Sequence, residues 1–159
     1  MSTRANIVLK ESYSYEDMEG KKSNVTNELI FYRHSDGYPE GTLPTLNIFM
    51  DWLKRGKIRN NISQAGGWLI IIGAMEYNTL PEFKKVPAYE GSERFYGDVE
   101  TFKDPENWKC GAYEPTYCIH TDIEYLYEID IIKKTLAVKI PSSRDEIYNI
   151  TSWETINTF

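Results

Sequence analysis

Ile123-Glu124-Tyr125-Leu126-Tyr127-Glu128-Ile129-Asp130-Ile131-Ile132-Lys133-Lys134-Thr135-Leu136-Ala137-Val138-Lys139-Ile140 is the stretch on which the fold turns. Ile123, Tyr125, Tyr127 and Ile129 share one face of an extended strand, and Glu124, Leu126, Glu128 and Asp130 share the other, because side chains alternate with a period of two. After a turn at Lys133-Lys134, Leu136, Val138 and Ile140 answer with the same spacing, which predicts a β-hairpin within 116–140.

The same alternation occurs near the start of the chain, where Ala5, Ile7 and Leu9 interleave with Asn6, Val8 and Lys10. This predicts a first strand over 5–10, and a second from Glu28 to Tyr32 pairs with it as a hairpin. Between them 11–27 is polar, with Asp17, Glu19, Gly20, Lys21 and Lys22, and reads as a long exposed turn. Leu46, Phe49, Met50 and Leu53 fall at i, i+3, i+4 and i+7, so a helix is expected there, capped by Thr42 or Thr45, with Pro44 in its first turn. Gly56 ends it, and Asp51 with Arg55 forms an i,i+4 pair on its wet face.

Over 65–77 periodicity does not separate a buried helix from a buried strand. Three β-branched residues in a row favour strand, whereas length and a Ser63 cap favour helix, which is the reading taken. Residues 78–115 hold Pro81, Pro87, Pro105 and Pro115 and read as an irregular insertion ballasted by Tyr89, Phe95, Tyr96, Phe102, Trp108 and Tyr113. In the tail, Ile147, Ile150, Trp153 and Ile156 have helix-like spacing. The expected fold is α+β: an antiparallel sheet of roughly four to six strands, two main helices on one face, and the aromatic insertion at an edge.

The 159 residues fit a single domain, 1–159, and 41% hydrophobic with 26% charged residues is a folded composition. A net charge of −6 argues against duplex nucleic acid as a partner. The densest basic cluster, Lys54, Arg55, Lys57 and Arg59, reads as a solvated helix end. The longest apolar run, 68–74, falls far short of the roughly 20 residues that span a bilayer, so no membrane segment is expected. Cys110 and Cys118 have no zinc-type spacing, no metal or other cofactor is implied, and an N-terminus without a signal-peptide core points to the cytoplasm and two free thiols.

The working site is expected in Tyr32-Arg33-His34-Ser35-Asp36-Gly37-Tyr38-Pro39-Glu40-Gly41, where a permanent cation, an imidazole, carboxylates and aromatics crowd one turn. Arg33 suits an anion and Tyr38 a stacked ring, with Asp36 between them; Gly66 and Gly67 offer backbone N–H groups to an anion if they open a helix. His34 and the second histidine, His120, are the candidate acid and base of a metal-independent phosphoester hydrolase in which Arg33 neutralises charge. Alternation sets a constraint on that reading: neighbours on a strand point to opposite faces, so Arg33 and His34 share a pocket only if the chain twists at Ser35-Asp36. The competing structural reading is that Arg33 pairs with an acid and Asp36 shapes the turn.

Met1-Ser2-Thr3-Arg4, the Tyr32–Gly41 run, the Gly66-Gly67 helix and Glu124-Tyr125-Leu126-Tyr127-Glu128-Ile129 together resemble a widespread family of small bacterial, prophage and phage proteins. That family often begins Met-Gly-Thr-Arg and carries Tyr-Arg-x-x-Asp-Gly-Tyr-Pro; Ser2 departs from it, and His34 falls where its pattern is loose. The resemblance implies a phage- or prophage-associated protein but brings no established activity. The function expected is binding of an anionic, nucleotide-like small molecule or a host protein. The alternatives are the hydrolase and a protein-interaction module built on the aromatics of 89–113. A second copy of the chain is also admitted as a partner.

Overall fold

The computed structural model describes residues 2–78, 84–89, 92–96 and 105–159. Its elements run β1 (Ala5–Glu16), β2 (Lys22–Arg33), α1 (Pro39–Lys54), α2 (Ile62–Tyr77), β3 (Lys84–Tyr89), β4 (Ser92–Tyr96), a 3-10 turn (Pro105–Asn107), β5 (Glu114–Thr116), β6 (Tyr125–Asp130), β7 (Thr135–Arg144) and β8 (Ile150–Thr158). Six strands form one sheet in the order β5-β2-β1-β6-β7-β8, and β3-β4 form a separate ribbon. The fold is α+β, and the sheet is antiparallel except at its centre, where β6 lies parallel to β1 with Ala5 opposite Tyr125. That pair is parallel because β1 continues by hairpin into β2, whereas β6 arrives only after both helices and enters from the end at which β1 began.

Alternation decides which side of the sheet each residue serves. Ala5, Ile7 and Leu9, with Phe31, Tyr127, Ile129, Leu136 and Val138, meet Leu46, Phe49, Met50 and Leu53 of α1 and Ala65, Leu69 and Ile72 of α2 in the main core. Both helices therefore pack on one face. Burying a Leu, Ile or Phe side chain is worth about 1.5–3 kcal/mol, so this layer carries most of the stability. On the opposite face Val8, Ile123 and Leu126 form a smaller cluster under Ile30, Tyr32, Ile150 and Trp153. Among the described residues no helix covers it.

Helix α1 begins a turn earlier than expected, with Pro39 at its first position and Tyr38 as a cap that uses no side chain. The Tyr38 carbonyl takes the N–H groups of Gly41 and Thr42, so neither Thr42 nor Thr45 is needed as a cap. Gly56, at φ 76°, ends the helix as expected, and Asp51 meets Arg55 at 3.5 Å. Residues 65–77 are helical, but the cap is Asn61, whose side chain accepts from the Gln64 N–H at 3.0 Å, not Ser63.

Two strand expectations fail. The segment 11–27 is not a long turn: β1 and β2 stay paired from Ala5↔Arg33 to Glu16↔Lys22, and only Asp17–Lys21 forms the bend. The tail is strand β8, not helix. Arg144 faces Ile150 and Ser143 faces Ser152, so Thr151 is a bulged extra residue, and this brings Ile150 and Trp153 onto one face despite a spacing of three.

The expected irregular insertion contains the β3-β4 ribbon, and its end docks on α2. Ala112 N–H donates to the Gly73 carbonyl at 3.1 Å, and Tyr113 is buried in the main core. The side chains of Tyr89, Phe95, Tyr96 and Phe102 lie outside the described residues. Cys110 and Cys118 are both exposed free thiols. Among the described residues no helix is long and apolar enough to cross a membrane.

Candidate functional site

Arg33 ends β2 on the helix side of the sheet and is fully buried. Its Nη1 donates to Glu76 Oε2 at 2.7 Å and its Nη2 to Glu76 Oε1 at 2.6 Å. Nε donates to the Ser35 and Asp36 carbonyls at 2.8 and 3.2 Å, and Nη2 also reaches the Gly41 carbonyl at 3.2 Å. The Tyr113 ring lies 5.5 Å from its Cζ. Burial alone would lower its pKa, but the hydrogen bonds and charge of Glu76 outweigh it and hold the guanidinium above its ordinary value. With four of its five N–H groups engaged and the side chain fully buried, this guanidinium has no face left for an external anion.

The rest of the motif explains itself as the wrapping of that cation. Asp36 adopts φ 56°, turning its carbonyl toward Arg33 and the Thr42 hydroxyl, which donates to it at 3.0 Å. Gly37 lies where a Cβ would meet the Ala5 Cβ and the backbone of Thr3 and Arg4 at 2.9 Å. Its N–H donates to the Thr3 carbonyl, and its own carbonyl accepts the Tyr127 hydroxyl at 2.7 Å. A Cβ on Gly41 would sit 2.5 Å from the Asp36 carbonyl oxygen. Tyr38 is partly exposed, and the neighbouring Asp36 carboxylate pushes its pKa up. Asp36 and Tyr38 thus sit together on the surface, while Arg33 faces inward.

Gly66 and Gly67 are in the second turn of α2, beyond its N-terminus, so they present no free N–H cluster. A Cβ on Gly66 would lie 2.8 Å from Leu29 Cδ1, which makes it a close-packing glycine. Both nevertheless line an apolar groove described below.

The histidines are brought together on the other face. Tyr32, one residue before Arg33 and therefore on the opposite side, stacks on His120 at 4.2 Å and 9°. Its hydroxyl shares a 3.0 Å hydrogen bond with His34 Nδ1. Burial, then the charge of Asp122, raises the Tyr32 pKa against the opposing pull of Arg4. His120 is fixed further by Thr116 Oγ1 on its Nε2 at 3.0 Å and by the side-chain oxygen of Asn6, which accepts its backbone N–H at 2.8 Å. Fully buried Asn6 also donates to the Phe31 carbonyl, tying β1, β2 and the His120 loop at one point. The expected trio of His34, His120 and Arg33 is therefore not one site: strand alternation places Arg33 through the sheet from the two histidines.

Beside His120 opens a cleft of about 240 Å³ lined by Ile119, His120, Thr121, Asn149, Ile150 and Trp153. Arg144 joins its two walls, donating to the carbonyls of Thr121, Tyr148 and, at 3.0 Å, Ile123. Among the described residues no carboxylate lies within ion-pair distance of Arg144, and its guanidinium is held by these carbonyls beside the cleft. Asp145 shapes the adjoining turn by accepting the N–H groups of Ile147 and Asn149.

Sequence reasoning missed Asn6, Arg144, Asn149 and Trp153 as members of this site. Asn6 carries a signal, a small amide among the apolar residues of 5–9; Trp153 fits a helix-like spacing, and its true face depends on the bulge. No group of three or more metal-type ligands occurs among the described residues. Set against family models, curated proteins and solved structures, the chain matches none.

Proposed function

We propose that the protein binds a planar, anionic, nucleotide-like small molecule in the His120–Trp153 cleft, without turning it over. The carrying observation is the cleft itself, an imidazole and an indole lining one opening beside an arginine that has no ion pair among the described residues. Aromatic faces take a heterocycle of any identity, and stacking is worth about 1–3 kcal/mol per base. Thr121 and Asn149 supply hydrogen-bonding groups for its edge, and Arg144 supplies the favourable field for phosphate at the rim. At about 240 Å³ the cleft holds a single ring system, leaving the charged group outside.

A ligand of about 20 non-hydrogen atoms at ~0.3 kcal/mol per atom gains roughly 6 kcal/mol, a Kd of tens of micromolar. Calorimetric titration with purine and pyrimidine nucleoside monophosphates tests this. Binding in that range by at least one, weakened about tenfold or more in His120→Ala and in Trp153→Leu, supports the reading; no heat with any member removes it.

A further inference from the structure

Strand β2 runs Lys22–Arg33, but β5 covers its outer edge only at Ile30, Phe31 and Tyr32. Among the described residues nothing pairs with Lys22 to Leu29 on that side. A bare edge of this length is a template for another strand. We propose that its occupant is a second copy of this chain, with β2 pairing to β2 antiparallel about a two-fold axis at Val25, so that the two sheets become one.

The sequence of the edge is self-complementary in that register. Val25 faces Val25 of the second copy, Asn24 faces Thr26, and Lys22 faces Glu28, each unlike pair occurring twice by symmetry. Lys22, Asn24, Thr26 and Glu28 all lie on one face, so the opposed charges meet on the same side of the joined sheet. Within one copy Lys22 has no ion pair among the described residues, and Glu28 has only a loose 3.8 Å contact with Lys10. A shift of the register by two residues in either direction separates Lys22 from Glu28, so the charges select this one.

An apolar groove sits where the bare edge meets the end of β5. It measures about 520 Å³, and Leu29, Phe31, Gly66, Gly67, Ile70 and Tyr117 contribute to its lining. In the proposed register Lys21 of the second copy comes opposite Leu29, and its turn, Asp17–Lys21, follows into the groove. Met18 at the tip of that turn is fully exposed in the single chain, with a relative exposure of 105%. Its flexible thioether suits an irregular apolar pocket, and Gly67, with open space where a Cβ would stand, leaves room for it.

Sedimentation equilibrium of the full chain, with charge reversals, tests the pairing. A reversible dimer is expected; Lys22→Glu or Glu28→Lys alone should weaken it about tenfold, since two attractive pairs become repulsive, and the double reversal should return it to near the starting affinity. Independently, Val25→Cys in a chain carrying Cys110→Ser and Cys118→Ser should cross-link under mild oxidation, whereas Lys22→Cys in that background, with its two copies ~20 Å apart, should not. A chain that stays monomeric at millimolar concentration, or a dimer indifferent to both charge reversals, overturns the proposal.

Discussion

Arg33 and Glu76, 43 residues apart in the chain, meet as a two-pronged ion pair at 2.6 and 2.7 Å that ties the end of β2 to the last turn of α2. A carboxylate at a helix C-terminus opposes the helix dipole, and a buried guanidinium is costly to desolvate, so each side chain is tolerable only because the other is present. Removing one partner leaves the other charge stranded. Arg33→Ala and Glu76→Ala should each cost about 3 kcal/mol in urea denaturation, with the double variant losing much less than the sum of the two. Additive losses would show that the pair is not coupled.

The two motif glycines carry a separate prediction. A methyl group at Gly37 or Gly41 would press on backbone at 2.9 and 2.5 Å, where no flexible side chain can yield. Gly37→Ala and Gly41→Ala should each destabilise by about 2 kcal/mol or more, whereas Gly67→Ala, facing open space, should be neutral or slightly stabilising. Thermal melts of the three variants distinguish these outcomes.

Stability should fall at both ends of the pH scale for identifiable reasons. Burial pushes the Glu128 pKa up, but the Lys139 ammonium at 2.8 Å and Lys10 at 3.3 Å more than offset it and hold the carboxyl below its usual range. With a depressed folded pKa, this contribution is present above the ordinary glutamate value of about 4.3 and disappears as pH falls through the folded one. Glu128→Gln should therefore cost on the order of 1 kcal/mol at neutral pH and nothing measurable well below pH ~4. Denaturation at both pH values checks it.

Tyr113 is the alkaline counterpart. Burial pushes its hydroxyl up to about 12, against the opposing hydrogen bond with Thr45 and the charge of Arg33. The fold favours the neutral phenol, so stability is intact below the ordinary tyrosine pKa of about 10 and is lost as pH climbs toward the folded value. Tyr113→Phe should flatten the alkaline decline between roughly pH 10 and 12, read by denaturation alongside tyrosinate absorbance.

Much of the scaffold was legible because hydrophobic periodicity and core position coincide. Tyr125, Tyr127, Ile129, Leu136 and Val138 alternate because one face of β6 and β7 is covered by helices, and Leu46, Phe49, Met50 and Leu53 repeat because α1 buries one stripe. The outer halves of β1 and β2 were not legible: Glu11 to Glu16 and Lys22 to Asn27 project past the core, so neither face is selected to be apolar and the pattern vanishes. In β8 bulged residues at Thr151 and Ile156 shift the phase and imitate a helical spacing.

The site was half legible for the same physical reason. Alternation at Tyr32-Arg33 states that the two side chains part company, but the sequence does not state which one faces the helices. That is decided by Glu76, Asn6 and His120, contacts made across 43 to 114 residues that no local pattern encodes. The motif residues that looked most reactive fold inward as structure. Tyr32 and His34, at the same turn, face the cleft side.

Backbone and indole chemical-shift mapping by NMR during titration with the best-binding nucleoside monophosphate tests the location of the site most directly. The perturbed residues should be Ile119 to Thr121, Asn149, Ile150 and the Trp153 indole, with the Arg33 to Gly41 turn unmoved apart from His34. Perturbations centred on Asp36 and Tyr38 with Trp153 silent would contradict a ligand site in the His120–Trp153 cleft.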